Sequence, residues 1–488
     1  MIFPTVSFAA FFVVVFAVSW ALMPHPRLWK PFIVAASYVF YGYADWRFCF
    51  LLGALTVWNQ VMALLMSRVP DGAGSARTGL LSMGRERRKS LLLTTAVVGD
   101  LATLGWFKYY GFFTTSVASL LHRLHLGMPL PLLQVALPVG ISFFTFQALS
   151  YVIDVRRGKV EVASAVDFAV YLSFFPHLVA GPIVRAGEFL PQLASPRDPS
   201  DIPVSRACGL IVAGLVKKVV IADVLATDIV NPVFDVPAAH SGLETVVAIY
   251  GYAIQIFCDF SAYSDIAIGV ALLLGFQFPQ NFHRPYTATS FSDFWRRWHM
   301  TLSRWLRDYL YIPLGGNQRG RRRTYINLGL TMVIGGLWHG AAWPFIVWGA
   351  LHGGALATER WVVERRTGSS TVTVPTSLRG RVLARVLVFH VVCLAWVFFR
   401  SPSLSSAGTL LSRIWSGGLD NTLVTVPVVL AIAAGLVWQY VPEGVGARVG
   451  VVFTRQVVLA QGAAIGVALV LINALGHQGV APFLYFRF

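Results

Sequence analysis

The sequence predicts an all-α polytopic membrane protein, on three observations. Hydrophobic residues make up 56% of the 488 and charged residues 12%, against about 25% charged in a soluble domain. Apolar runs of spanning length recur along the chain. Basic residues gather between those runs. So few charges could not cover the surface of a soluble fold, and so much apolar area excludes a disordered chain. Cys49, Cys208, Cys258 and Cys393 are scattered, without CxxC or metal spacing. Neither a disulfide scaffold nor a metal site is therefore expected.

A spanning helix needs about 20 mostly apolar residues. Candidate runs lie near 6–23, 31–44, 48–66, 91–107, 135–152, 168–184, 208–226, 243–275, 325–349, 382–399, 424–441 and 456–475. Nine to twelve crossings are expected, with the short runs re-entrant or interfacial. The run 243–275 is too long for one untilted span. Residues 1–12 lack a basic segment, so the first run is expected to remain as a transmembrane helix and not to be a signal peptide.

The net charge of +17 comes from 39 basic and 22 acidic residues. On a soluble chain it would suggest nucleic acid. Here its placement between apolar runs suits cytoplasmic loops facing anionic lipid, and no nucleic-acid partner is expected. Arg68–Lys89 carries Arg77, Arg85, Arg87 and Arg88 as well. Nine arginines lie in Arg284–Arg323 and six in Arg360–Arg385. These segments are expected on the cytoplasmic side. The connectors 194–206 and 367–381 read as loops and not as domain boundaries, and no internal repeat is visible.

Polar residues inside apolar runs are functional candidates, because hydrocarbon cannot solvate them. In Gly335-Gly336-Leu337-Trp338-His339-Gly340-Ala341, His339 lies 14 residues into the run that begins at Tyr325. A continuous helix would put it roughly 21 Å along the axis, near or past the middle of the hydrocarbon. The glycines would let a backbone or a ligand approach it. A neutral imidazole suits general-base work. A histidine hydrogen-bonded between helices is the competing explanation.

From Ser292 to Tyr309 the spacing predicts one basic amphipathic helix, capped by Ser292 and stopped near Pro313-Leu314-Gly315-Gly316. Trp295, Trp298, Leu302, Trp305, Leu306 and Tyr309 would share an arc of about 100°, opposite Arg296, Arg297, Arg304 and Arg307. His299 falls at the edge of that arc. The tryptophans would anchor the helix at the headgroups. Alternatively, His299 turns inward beneath His339.

Gln255, Asp259 and Tyr263 share one face of a third stretch, at i, i+4, i+8. Ser261 and Asp265 share another. Buried carboxyls must be paired, protonated or beside water. An interhelical network with an arginine as partner competes with proton relay or ion binding. A fourth stretch, Phe174–Arg185, holds Pro176, Gly181 and Pro182 around His177. It predicts a broken or re-entrant helix beside a cavity. No GxxxxGK[ST], HExxH or GxSxG occurs.

These stretches resemble the membrane-bound O-acyltransferases, in the bacterial branch that contains alginate O-acetyltransferase and the teichoic-acid D-alanyl transferase. The resemblance is carried by FFPHLVAGPIVR at 174–185, FCDFSAYSDIAIG at 257–269, DFWRRWHMTLSRWLRDYLYIPLGGN at 293–317 and GGLWHGAAWPFIVWGALHG at 335–353. ASYVFYGYADW at 36–46 and FLYFRF at 483–488 add to it. It covers most of the chain, is weakest in 194–206 and 360–460, and implies one transferase domain over 1–488 with its core motifs in 174–353.

The resemblance implies many helices around a central tunnel in a plasma or inner membrane, with a cytoplasmic thioester entering one end and an extracytoplasmic hydroxyl the other. It makes His339 the catalytic histidine and His299 its second. Trp298, Trp338, Asp259, Tyr263 and His177 would line the tunnel. Arg319, Arg321, Arg322 and Arg323 are candidate contacts for donor phosphates, although positive-inside topology accounts for that run more readily. No tightly bound cofactor or metal is implied. Chain length favours acetyl-CoA over an acyl-carrier thioester, and a glycan or cell-envelope acceptor reached with a separate extracytoplasmic acetyltransferase partner. Teichoic-acid-type D-alanyl transfer is the nearer alternative. A proton-coupled transporter using Asp259, Asp265 and the break at 176–182 is the farther one, and the lack of repeated halves counts against it.

Overall fold

The computed structural model describes every residue except 2, 70–78, 127–134, 370, 371, 373, 477–482 and 485–488. Arg77, part of the 367–381 connector and most of the 483–488 motif lie outside the described residues. The described residues are helical, without a strand. They form two compact units: Met1–Ile202 with Ala271–Phe278, and Pro203–Val270 with Pro279–Phe488.

The first unit holds α1 (Val6–Leu22), α2 (Pro26–Gly42), α3 (Arg47–Ser67), α4 (Gly79–Leu104), α5 (Tyr110–Arg123), α6 (Ile141–Arg156) and α7 (Ala165–Ser173). Helix α6 is its axis: every residue from Ile141 to Val152 is buried. A helix buried on every face belongs to a core, and its Ser142, Thr145, Gln147 and Ser150 are buried with its apolar residues. Phe8, Phe40 and Phe175 pack together at its edge. Arg85, Arg87, Arg88 and Lys89, expected in a loop, stand on α4, which begins at Gly79, ahead of the apolar run that starts at Leu91. After α7 the chain makes one short helix, Phe175–Leu178, and then runs extended past Pro182. The break expected from the two prolines is present.

The second unit holds α8 (Val204–Leu215), α9 (Gly242–Leu273, whose last turn joins the first unit), α10 (Phe291–Arg297), α11 (Met300–Leu306), α12 (Gly320–His339) and α13 (Trp343–Thr367). It continues with α14 (Leu378–Arg400), α15 (Leu404–Ser416), α16 (Val426–Trp438), α17 (Glu443–Thr454) and α18 (Val458–Leu475).

Among the described residues, five helices are long and apolar enough to cross a membrane: Arg47–Ser67, Gly84–Arg123, Gly242–Leu273, Leu378–Arg400 and Val458–Leu475. The other expected runs occur as shorter or more polar helices. The most apolar window of α9 is 89% buried and that of α18 is 6% buried. Similar composition therefore serves a protein core in one case and an exposed apolar surface in the other.

The run 325–349 is two helices, not one. Helix α12 ends at His339, Gly340 is extended, and α13 restarts at Trp343 with Pro344 in its first turn. Proline lacks the N–H that a helix interior needs but is tolerated at a helix start. His339 consequently terminates a helix instead of sitting inside one.

Candidate active site

His339 is buried, with ring centroids of Trp338, Trp348 and Phe399 at 4.9, 5.0 and 5.1 Å. The glycines around it seat α13. A Cβ on Gly336 would run into the Phe345 carbonyl, and one on Gly340 into the Phe345 ring. Close backbone approach, expected from the glycines, is made by the neighbouring helix.

The segment Ser292–Tyr309 is not one helix. It breaks at Trp298-His299, where His299 takes left-handed backbone angles, φ 41° and ψ 54°. For a residue with a Cβ that conformation costs on the order of 1–3 kcal/mol and persists only where neighbours hold it. Asn281 does so. Its carbonyl accepts from the Met300 N–H at 2.8 Å, and its Oδ1 accepts from Thr301 N and Thr301 Oγ1 at 3.2 and 2.9 Å. The first helix is capped by Ser290, not Ser292. Ser292 instead gives its N–H and hydroxyl to Glu359 of α13, at 3.1 and 2.5 Å.

The break turns the aromatic face and His299 inward, while Arg296 and Arg307 stay exposed. Trp295, Trp298 and Trp305 are buried in the protein and not set at its rim. His299 is fully buried, its ring 4.6 Å from Phe260, 6.1 Å from Trp338 and stacked on Phe282 at 6.2 Å. Trp338 thus touches both histidines named from the sequence. Trp298 packs on Trp396 at 4.9 Å. His299 lies outside the five long apolar helices, and burial pushes its imidazole down to about 3. It is neutral, as a proton acceptor requires.

The carboxyls of α9 are paired, with lysines and not arginines. Lys217 bonds Asp265 at 2.6 Å and Ser261 at 2.8 Å. Lys218 bonds Asp259 and Asp223, both at 2.8 Å. Both lysines come from a wide π-helical turn, Val216–Ala222. The two faces read from i, i+4 spacing are therefore the faces that each lysine takes. Asp259 also accepts from the Leu484 N–H at 2.9 Å, and Tyr263 packs on Phe483 with ring centroids 4.0 Å apart, tilted by 35°.

His177 belongs to the first unit. It is buried among Phe174, Phe189 and Phe278, and Nε2 lies 2.8 Å from the Tyr171 carbonyl. The carbonyl can only accept, so Nε2 donates. Arg319, Arg321, Arg322 and Arg323 are exposed at the start of α12. Arg321 reaches Glu364 at 3.5 Å. Burial alone would raise Glu364, but hydrogen bonds from Arg360 and Tyr325 and the charges of Arg360 and Arg321 outweigh it and hold the carboxyl below its usual range.

Sequence reasoning missed Asn281, Lys217, Lys218, Trp348, His352 and Glu359. Lys217-Lys218 inside an apolar run was the available signal for the network. His352 repeats the His-Gly pair of 339–340 one helix later, and packs on Trp348 at 4.8 Å. Asn281 carried no signal, since an Asn in a Pro-Gln-Asn loop is ordinary.

The family model of MBOAT, the membrane-bound O-acyltransferase family, matches residues 34–398. The chain belongs to the membrane-bound O-acyltransferase family. It is 40% identical over 429 residues to a probable alginate O-acetylase AlgI of Azotobacter vinelandii, covering 87% of this chain and 79% of that one. A protein of the same description from Pseudomonas putida is 36% identical, over 93% and 94% of the two chains. A peptidoglycan O-acetyltransferase of Helicobacter pylori is 36% identical, over 78% and 72%. This membrane-bound O-acyltransferase is accordingly a multi-pass membrane enzyme that transfers acyl groups to oxygen.

Proposed function

We propose that the enzyme moves an acetyl group from acetyl-CoA, bound from the cytoplasm, to a hydroxyl of an extracytoplasmic polysaccharide or cell-envelope polymer. The observation that carries the reading is that the rings of His339 and His299 both pack against Trp338, at 4.9 and 6.1 Å. Burial of this kind keeps the His299 imidazole neutral. The glycan acceptor is supported by the relatives described as acting on alginate and peptidoglycan.

In this mechanism His339 takes the proton of the acceptor hydroxyl. The hydroxyl oxygen attacks the thioester carbonyl carbon, the C–S bond breaks, and the proton passes to the departing thiolate. An O-acetyl ester and free coenzyme A result. His299 and Trp298 line the donor's route, with Asp259 and Tyr263 in the tunnel walls. Arg319, Arg321, Arg322 and Arg323 draw in the donor phosphates. The basic segments face the cytoplasm of a plasma or inner membrane, and a separate extracytoplasmic transferase completes delivery.

The test is ester-linked acetate on envelope glycans in cells carrying wild-type protein or His339→Ala at matched membrane levels. Loss of acetate in the variant supports the reading. Unchanged acetate defeats it for that polymer, and feeding a D-alanyl thioester then tests the alternative donor.

A further inference from the structure

Three donors converge on one oxygen beside His299. Asn281 Oδ1 lies 3.2 Å from Thr301 N, 2.9 Å from Thr301 Oγ1 and 3.1 Å from His299 Nδ1. On the other side, Asn281 Nδ2 donates to Ser264 Oγ at 3.0 Å. The amide orientation is decided by chemistry. A backbone N–H can only donate, so the atom facing Thr301 N must be the oxygen. A bare Nδ1 at 3.1 Å from that oxygen would set lone pair against lone pair. The ring nitrogen on that side therefore carries a proton. Neutral imidazole has one N–H and one acceptor, so Nε2 is the acceptor.

We propose that Asn281 is a positioning residue that holds His299 as its Nδ1–H tautomer and makes Nε2 the ring's proton-accepting atom. Histidines in working sites are commonly set this way by a partner on the second nitrogen. The amide does two jobs with one oxygen. It secures the left-handed turn at His299 through Thr301, and it fixes the tautomer. Phe260, nearly perpendicular to the imidazole at 4.6 Å, and Phe282 at 6.2 Å restrict its rotation. A His299 so held can take a hydrogen bond from a hydroxyl or amide N–H of a substrate, and cannot give one from Nε2.

The inference rests on the reading that His299 takes part in acyl transfer, and its test separates the two. The full chain, labelled with ¹⁵N-histidine and purified in detergent, gives ring-nitrogen signals, and His299→Gln assigns the relevant pair. The expected wild-type pattern is a protonated Nδ1 and a bare Nε2. Asn281→Asp keeps an acceptor oxygen and keeps that pattern. Asn281→Leu loses it, and lowers ester-linked acetate about 10–100-fold, the range typical of partners that orient a working histidine. A bare Nδ1 in the wild type overturns the inference, with or without a folded Asn281→Leu. So does an Asn281→Leu protein with wild-type acetate when His299→Gln has none. Full acetate in His299→Gln defeats the functional role of His299, and the ring-nitrogen pattern then judges Asn281 alone.

Discussion

Around Asp259 and Asp265 the second unit holds formal charges in lysine–carboxylate pairs, whereas around His339 and His299 it buries imidazole rings among aromatic side chains. Both clusters lie where unpaired polar groups are expensive. The charged cluster meets that cost by direct bonds of 2.6–2.8 Å. Such bonds occupy the groups, which leaves them ill suited to chemistry. The aromatic cluster packs its imidazoles against rings and not against a carboxylate–lysine pair, which suits proton exchange with a substrate. The difference teaches that a polar residue in an apolar run is a question, and that the residues packed against it give the answer.

The largest effect that could break the comparison is on catalysis. His339→Ala should lower ester formation by about 10²–10⁴-fold, the usual contribution of a general base, with thermal melting close to wild type. A folded variant that retains activity would strip the aromatic cluster of its chemical role.

Stability should respond in the opposite cluster. Lys218→Ala leaves Asp259 and Asp223 facing each other without their cation. Breaking a buried pair from one side costs about 3–5 kcal/mol, so melting should fall sharply. Lys218→Met with Asp259→Asn and Asp223→Asn should recover much of the loss. A mild single variant would mean that water, and not the ion pair, solvates these carboxyls.

A pH dependence sharpens the aromatic side. Folding lowers His299 from an ordinary value of 6.5 to about 3. The unfolded chain then binds more protons between those values, so His299 lowers stability as the pH falls from about 6.5 toward 3. Wild type should lose melting temperature over that interval faster than His299→Gln. Parallel curves would show that the imidazole is already charged in the fold.

The smallest effect concerns the rim. Arg321, 77% exposed and 3.5 Å from Glu364, should contribute within about 0.5 kcal/mol to stability. If it meets donor phosphates, Arg321→Ala should raise the KM for acetyl-CoA while melting stays put. An unchanged KM assigns the arginine to topology alone.

Legibility followed the range of the interaction. The i, i+4 pattern of Gln255, Asp259 and Tyr263, with Ser261 and Asp265 beside it, could be read because helical spacing is local, and it named the faces the lysines occupy. The proline-rich break near His177 could be read for the same reason. The continuous helix over 292–309 failed because its period was right but its backbone was not. Asn281, distant in sequence, makes the turn at His299 affordable. Helix α12 ends at His339 because α13 must fold back against Gly336 and Gly340, a packing demand that apolar composition does not encode.

Composition alone determined a helical, multi-pass membrane chain with two histidines worth testing, and the resemblance of its motifs to a known family supplied the acyltransferase reading. The first part follows from local chemistry: hydrocarbon demands apolar helices, and the polar exceptions stand out against them. Only the tertiary structure decided that His339 ends a helix, that His299 sits in a left-handed turn held by Asn281, and that Trp338 lies against both. Those facts depend on which residues far apart in sequence pack together, and a pattern along one chain does not specify that.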